Sequence, residues 1–134
     1  MTKPVLQYII KHSVADAEAL VRAALQEEGF GILTEVDLSA VMRQRLGVEL
    51  PPHKLLGACN PRIAHASIQA EPDVAAFLPC GISLREGADP SETIVTVQDP
   101  FTVSGAFQVD GLEGPGREAR SRIESALAKI GSEG

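Results

Sequence analysis

The stretch LLGACNPRIAHASIQAEPDVAAFLPCG, residues 55–81, contains both cysteines of the chain and decides its fold. The apolar residues at its two ends predict β-strands at residues 54–59 and 77–84. Between them, Asn60 followed by Pro61 is a strong helix start, because asparagine caps helix N-termini and proline fits the first helical position. A strand that leads into a helix and returns as a strand indicates a sheet with helices packed on it.

The rest of the chain continues this alternation of strands and helices. Ser13 and Asp37 each precede apolar residues at helical spacing and are predicted to be N-caps. The glycine-rich segment 100–116 is predicted to be irregular. Further helices are predicted at residues 14–28, 38–46 and 117–130. Further strands are predicted at residues 4–12, 30–36 and 93–97.

These elements follow the order βαβαβαββα. The order predicts an α+β fold, in which helices pack on a single mixed β-sheet of about five strands. The chain of 134 residues is 44% hydrophobic, which is typical of a globular protein. A chain of this length predicts a single domain, residues 1–134.

Composition and charge limit the classes of partner. The net charge of −6 and the scattered basic residues argue against nucleic acid and against anionic membrane surfaces. No apolar run approaches the ~20 residues that a membrane helix needs. The N-terminal sequence MTKPVLQYII lacks the pattern of a signal peptide. We therefore expect a cytoplasmic location, in which both thiols stay reduced.

Four sequence pieces resemble one family. They are GFGILTEVDL, RLGVELPPHKLLGACNP, AHASIQAEPDVAAFLPC and the pair Asp99-Pro100. In this order they resemble the domain of unknown function 302 (DUF302) family, with a family-like core at residues 30–100. The resemblance implies a compact α+β domain of bacteria and archaea, with no established reaction to carry over. This chain departs from the family pattern at Gly81, where a polar residue is frequent, and after Pro100, where a regular helix is usual.

The two cysteines are the first candidates for a binding site. Cys59 precedes a helix N-terminus, whose partial positive charge lowers the pKa of a nearby thiol. It is therefore either a reactive thiolate or a small buried residue of the core. Cys80 begins the next strand and is predicted to lie beside Cys59 on one wall of a shared site. Taken alone, Cys80 is more typical of a core residue.

The other candidate binding residues offer oxygen and nitrogen atoms. A soft metal ion would require Cys59, Cys80 and His65 to converge, with a carboxylate from Glu35 or Asp99. Glu35 is either half-buried, with a raised pKa suited to acid–base chemistry, or a solvent-facing strand residue. The purely structural alternative for Asp99, and for Asn60, is helix capping.

Three functions fit these patterns, while the catalytic residues and the cofactor are left unassigned. The first is a domain that binds a small ligand or a soft metal near Cys59 and Cys80. The second is a thiol-dependent enzyme or redox sensor that uses Cys59, although a nucleophilic cysteine needs a base and only His65 is close in sequence. The third is a homodimeric structural or interaction module that hides a sheet edge by self-association.

Overall fold

The fold is described by a computed structural model of residues 3–134. Its helices are α1 (Val14–Glu27), α2 (Leu38–Leu46), α3 (Pro61–Ala70), α4 (Pro100–Phe107) and α5 (Glu113–Ala128), with one 3₁₀ helix (Pro72–Phe77). Its strands are β1 (Val5–Ile10), β2 (Gly31–Asp37), β3 (His53–Cys59), β4 (Cys80–Glu86), β5 (Thr93–Gln98) and β6 (Ser132–Glu133).

The strands form one sheet in the order β2-β3-β4-β5-β1-β6. The predicted α+β class, a single sheet with helices packed on it, is confirmed. The sheet is not mixed, however, because every strand pair in the described residues is antiparallel. The connection through α2 joins β2 to β3, and the one through α3 joins β3 to β4. Each leaves and rejoins the sheet at the same end, because the strands that it joins are antiparallel neighbours.

The helices cover one face of the sheet, and the hydrophobic core lies between this face and the helices. Alternate residues of β4 and β5 are buried on this face, as strand geometry dictates for a half-covered sheet. They pack with the buried sides of α1 and α5 in one cluster, which includes Ile82, Leu84, Val95, Val97, Val21, Leu25, Ile123 and Leu127. The other face carries partly exposed polar residues such as Ser83 and Thr96.

The predicted helix starts are confirmed at atomic detail. The Ser13 hydroxyl accepts a hydrogen bond from the Asp16 amide at 3.2 Å, and the Asp37 carboxylate accepts one from the Ala40 amide at 3.0 Å. Each bond satisfies a backbone donor that has no partner within the helix. Gly47 closes α2 with a left-handed backbone, φ 66°, which glycine adopts without steric cost.

The prediction of an irregular segment at residues 100–116 is wrong. Residues 100–107 form α4, and α5 begins at Glu113 rather than at residue 117. Pro115 is tolerated in the first turn of α5 because the amide it lacks would have no helical partner there. The expected departure from a helical family pattern after Pro100 is therefore also wrong.

The sheet gains a sixth strand that the sequence pattern did not predict. Ser132 and Glu133 pair with Ile9 and Tyr8 beyond the last helix. Two residues are too few to show a strand period. None of the helices formed by residues 3–134 combines the length and the apolar character of a membrane-spanning segment.

Candidate active or binding site

A small cavity lies where β3 ends and β4 begins, under α3, α4 and α5. Its volume is about 60 Å³. The wall is largely apolar, and none of the described residues that border it carries a charge. Its larger apolar side chains include Phe30, Ile63, Val74, Leu78, Val103 and Ile123. Its smaller residues include Ala58, Ala64, Gly116 and Ala119.

Asn60 joins three elements at the edge of this cavity. Its side-chain oxygen accepts a hydrogen bond from the Ile63 amide at 3.3 Å, which caps α3. Its side-chain nitrogen donates to the Glu28 carbonyl at 3.2 Å, just after the end of α1. The side chain is buried, so both bonds replace water that it has lost. The predicted cap is confirmed, and Asn60 also fixes α1 relative to α3.

Cys80 is a buried thiol that borders the cavity. It pairs with Ala58 across β3 and β4, so the prediction that the two cysteine-bearing strands are neighbours is confirmed. Its Sγ donates a hydrogen bond to the Gln98 carbonyl at 3.2 Å. Burial, with a smaller contribution from the negative charge of Asp99, raises the pKa of Cys80 to about 12. This thiol is therefore protonated at neutral pH.

Cys59 also borders the cavity, but it is not a stabilised thiolate. Burial raises the pKa of Cys59, which favours the alternative of a small buried residue over that of a reactive thiolate. The register pairs Cys80 with Ala58, one residue away. Cys59 is therefore not directly opposite Cys80 in the sheet, although both residues border the same cavity. Both cysteines are free.

Asp99 is the N-cap of α4 and is 1% exposed. One carboxylate oxygen accepts from the Phe101 amide at 2.9 Å and the other from the Thr102 hydroxyl at 3.0 Å. The second oxygen also forms an ion pair with Arg120 of α5 at 3.2 Å. These partners explain why a carboxylate tolerates burial, and they confirm the capping interpretation. The charge of Asp99 is already compensated.

Glu35 and His65 are not among the residues that line the cavity. The Glu35 side chain is 53% exposed at the edge strand β2 and forms an ion pair with Arg22. The solvent-facing interpretation of Glu35 is therefore correct. His65 is exposed on α3. Within residues 3–134, no three His, Cys, Asp or Glu side chains are grouped to hold a metal ion, so the predicted convergence on Cys59 and Cys80 is absent there.

The sequence interpretation missed one side of the cavity. Val103 and Ser104 of α4, and Pro115 and Gly116 of α5, border it from the segment that was predicted to be irregular. One signal was available, because Asp99-Pro100 repeats the cap-and-proline start of Asn60-Pro61. The short helix that follows has serine and glycine at its centre, and these weak helix formers obscure the pattern.

The fold and the cavity define a class of protein: an antiparallel single-sheet α+β domain with a small apolar cavity beside its helices. The model of the family described as "Domain of unknown function DUF302" matches residues 6–130, so the chain belongs to the DUF302 family.

One similar solved structure supports the fold. It is the crystal structure of an uncharacterized conserved DUF302 protein from Bacillus stearothermophilus, with a TM-score of 0.87 and 18% sequence identity. The alignment covers 96% of this chain and 99% of that one. No curated protein matches the chain.

Replacing Asn60 tests its role as a clamp. We expect Asn60→Ala to lower the free energy of unfolding by about 1–2 kcal/mol, because it removes a helix cap and leaves the Glu28 carbonyl without its donor. Asn60→Asp is the matched variant, since it keeps the capping oxygen and loses only the donor. Urea unfolding should show a loss for both variants. An unchanged midpoint for Asn60→Asp would mean that capping alone matters.

Alkylation of the native protein tests the two thiols. Iodoacetamide at neutral pH should label Cys59 faster than the more deeply buried Cys80, as read by mass spectrometry of the partly labelled protein. Both pKa values are raised, so little thiolate is present at pH 7, and the rate at Cys59 should rise as the pH is raised toward its pKa. Equal and very slow labelling of both cysteines would eliminate any function that depends on a reactive Cys59.

Proposed function

We propose that this protein is a binding domain for a small organic ligand whose apolar part occupies the cavity. One observation carries the proposal: a small space with an apolar, uncharged wall lies beside the strand ends that bear both cysteines. Pockets for small molecules are typically apolar with a few polar groups. Asn60, Ser67 and Ser104 are such polar groups here.

The size of the cavity limits the part of the ligand that it holds. About 10–15 Å³ is enough for one water molecule, so about 60 Å³ admits a group of a few non-hydrogen atoms. Phe77 borders the cavity and is 46% exposed, so the wall reaches the protein surface at this residue. A longer ligand would extend outward past Phe77, whose ring makes an edge-to-face contact with Phe107.

A thiol-dependent enzyme or redox sensor is the weaker alternative. A nucleophilic cysteine needs a base within hydrogen-bond reach, and no histidine is among the described residues that line the cavity. The raised pKa of Cys59 also disfavours the reactive form at neutral pH. A soft metal ion is disfavoured because the described chain groups no suitable ligands. We therefore favour an organic ligand.

A cytoplasmic location fits the proposed function. In such a reducing compartment both free thiols would stay reduced. The net charge of −6 favours a small-molecule ligand over nucleic acid.

We also propose that the chain forms a symmetric homodimer through β2. This seven-residue strand is an edge of the sheet, whereas β6 at the opposite edge has only two residues. Most of the exposed large apolar side chains of the described chain lie on β2, α2 and the segment after α2: Leu33, Val36, Leu46, Val48 and Leu50. Antiparallel pairing of β2 with a second copy satisfies the free backbone groups of both chains.

Titration with 1-butanol tests the ligand site. We expect saturable changes in the ¹H–¹⁵N NMR signals of residues around the cavity, with a dissociation constant in the millimolar range because the probe is small. Ala64→Leu should abolish these changes, since it fills the cavity. Ala66→Leu is the matched control, because Ala66 is exposed on the same helix. Changes that do not saturate, or that persist in Ala64→Leu, would contradict the proposal.

Sedimentation velocity tests the homodimer. The wild-type chain should sediment as a dimer at micromolar concentrations, and Val36→Lys should shift it toward the monomer by placing charge at the paired edge. Ile68→Lys is the matched control, because Ile68 has a similar exposure but lies on α3. A monomeric wild type, or equal effects of the two variants, would exclude a dimer formed through β2.

A further inference from the structure

Arg85 of β4 is a partly buried arginine without a counter-ion among residues 3–134. Of the twelve lysines and arginines of the chain, nine form ion pairs with an aspartate or a glutamate. The other three are Lys3, Arg45 and Arg85, of which only Arg85 is partly buried, since the first two are exposed. A guanidinium that is partly shielded from water and has no carboxylate partner is well suited to bind an anion.

The uncovered face of the sheet, which carries Gln7, Ser83, Arg85 and Thr96 on the side away from the helices, surrounds this charge with neutral polar groups. Nη1 of Arg85 donates to Oγ1 of Thr96 at 3.4 Å, a long bond that engages one of the five N–H donors of a guanidinium. His53 lies opposite Arg85 on β3, and its Nε2 is 2.9 Å from Oγ of Ser83. Gln7 donates to the same Thr96 oxygen from β1 at 3.5 Å.

The described strands place no carboxylate beside Arg85 on the uncovered face. Side chains alternate between the two faces of a sheet, and the residues of β1, β3, β4 and β5 that share the face of Ser83 include no aspartate or glutamate. Glu92, in the turn between β4 and β5, is held by Lys11. Burial and the charge of Arg85 lower the pKa of His53, so this ring is neutral at pH 7 and adds no second charge. The uncovered face therefore presents one uncompensated positive charge in a chain whose net charge is −6.

The single charge and its apolar neighbours define the class of anion. A guanidinium presents parallel donors that match the two oxygens of a carboxylate. One positive charge balances a carboxylate, whereas a doubly charged phosphate ester would keep one negative charge uncompensated. Ile94 lies opposite Arg85 on β5, and Leu55 lies opposite Ser83 on β3. Both are only partly buried, so each offers apolar surface to the body of a bound molecule.

We propose that Arg85, assisted by the hydroxyls of Ser83 and Thr96, binds the carboxylate of a small organic acid whose apolar body lies against Leu55 and Ile94. This site is separate from the cavity, because none of these residues lines the cavity. The inference goes beyond the proposed function and does not depend on it.

Titration with sodium butyrate tests the carboxylate site. We expect saturable changes in the ¹H–¹⁵N NMR signals of Ser83, Arg85 and Thr96, with a dissociation constant in the millimolar range because the probe is small. Arg85→Gln should weaken butyrate binding at least about tenfold, the effect of losing hydrogen bonds to a charged group. Arg45→Gln is the matched control, because it removes the same charge from an exposed arginine without an ion pair, and it should leave binding unchanged. 1-Butanol, which lacks the carboxylate, should not shift these signals.

The remaining outcomes each decide against the carboxylate site or for it. Changes that do not saturate, or equal butyrate affinity in the wild type and Arg85→Gln, would exclude the site. Tighter binding of methyl phosphate than of butyrate would overturn the assignment to a carboxylate. Loss of the butyrate signals in Ala64→Leu would place butyrate in the cavity instead, whereas their persistence supports a separate site. If Arg85→Gln does not fold, Arg85→Lys, which keeps the charge but not the parallel donors, should also weaken butyrate binding.

Discussion

The burial of one sheet face against α1 and α5 is the constraint on which the rest of the structure depends. Alternate residues of β4 and β5 have almost no exposed surface on this face, whereas their neighbours on the other face are partly exposed. Each fully buried aliphatic side chain contributes about 1.5–3 kcal/mol relative to the exposed state. This one-sided packing fixes the strand register, because a shift by one residue would turn every apolar side chain toward water.

The cavity follows from where this packing ends. At the end of β3 the chain leaves the sheet, and α3 begins with Asn60 as its N-cap. At the end of β5, Asp99 starts α4 and holds it against α5 through Arg120. Two capped helix starts therefore enclose one end of the sheet. Small residues on the wall, such as Ala64 and Gly116, leave a space between these helices and the sheet. The larger side chains of the central core fill the equivalent space there.

An element of this fold can be predicted from the sequence where its local pattern of apolar and capping residues is strong. Long periodic segments such as α1, and capped helix starts such as Asn60-Pro61, can be predicted from the local sequence. At these places the local preferences agree with the tertiary structure. The α4 region lacks this agreement, since its serine and glycine are weak helix formers and the helix is stabilised by an ion pair between the buried Asp99 and the partly exposed Arg120. A contact between residues so far apart in sequence leaves no local pattern.

The candidate site was legible only in part, for the same reason. Cys59, Asn60 and Cys80 are close in sequence to two strands and a helix start, and the cavity includes all three. Their relative orientation depends on a register of one residue between β3 and β4, which the sequence does not specify. Cys80 is opposite Ala58 rather than Cys59, although both cysteines border the cavity. Glu35 fits its predicted strand, but the ion pair with Arg22 holds it at the surface.

Above all, we propose that the space at the end of the sheet binds an apolar group. The most direct test is a crystal of this protein pressurised with xenon, a gas that occupies apolar cavities of proteins. We expect an anomalous peak for xenon within the cavity, in contact with Ile63, Val103 and Ile123. A cavity that stays free of xenon, with the walls collapsed or ordered water in its place, would exclude an apolar binding site there.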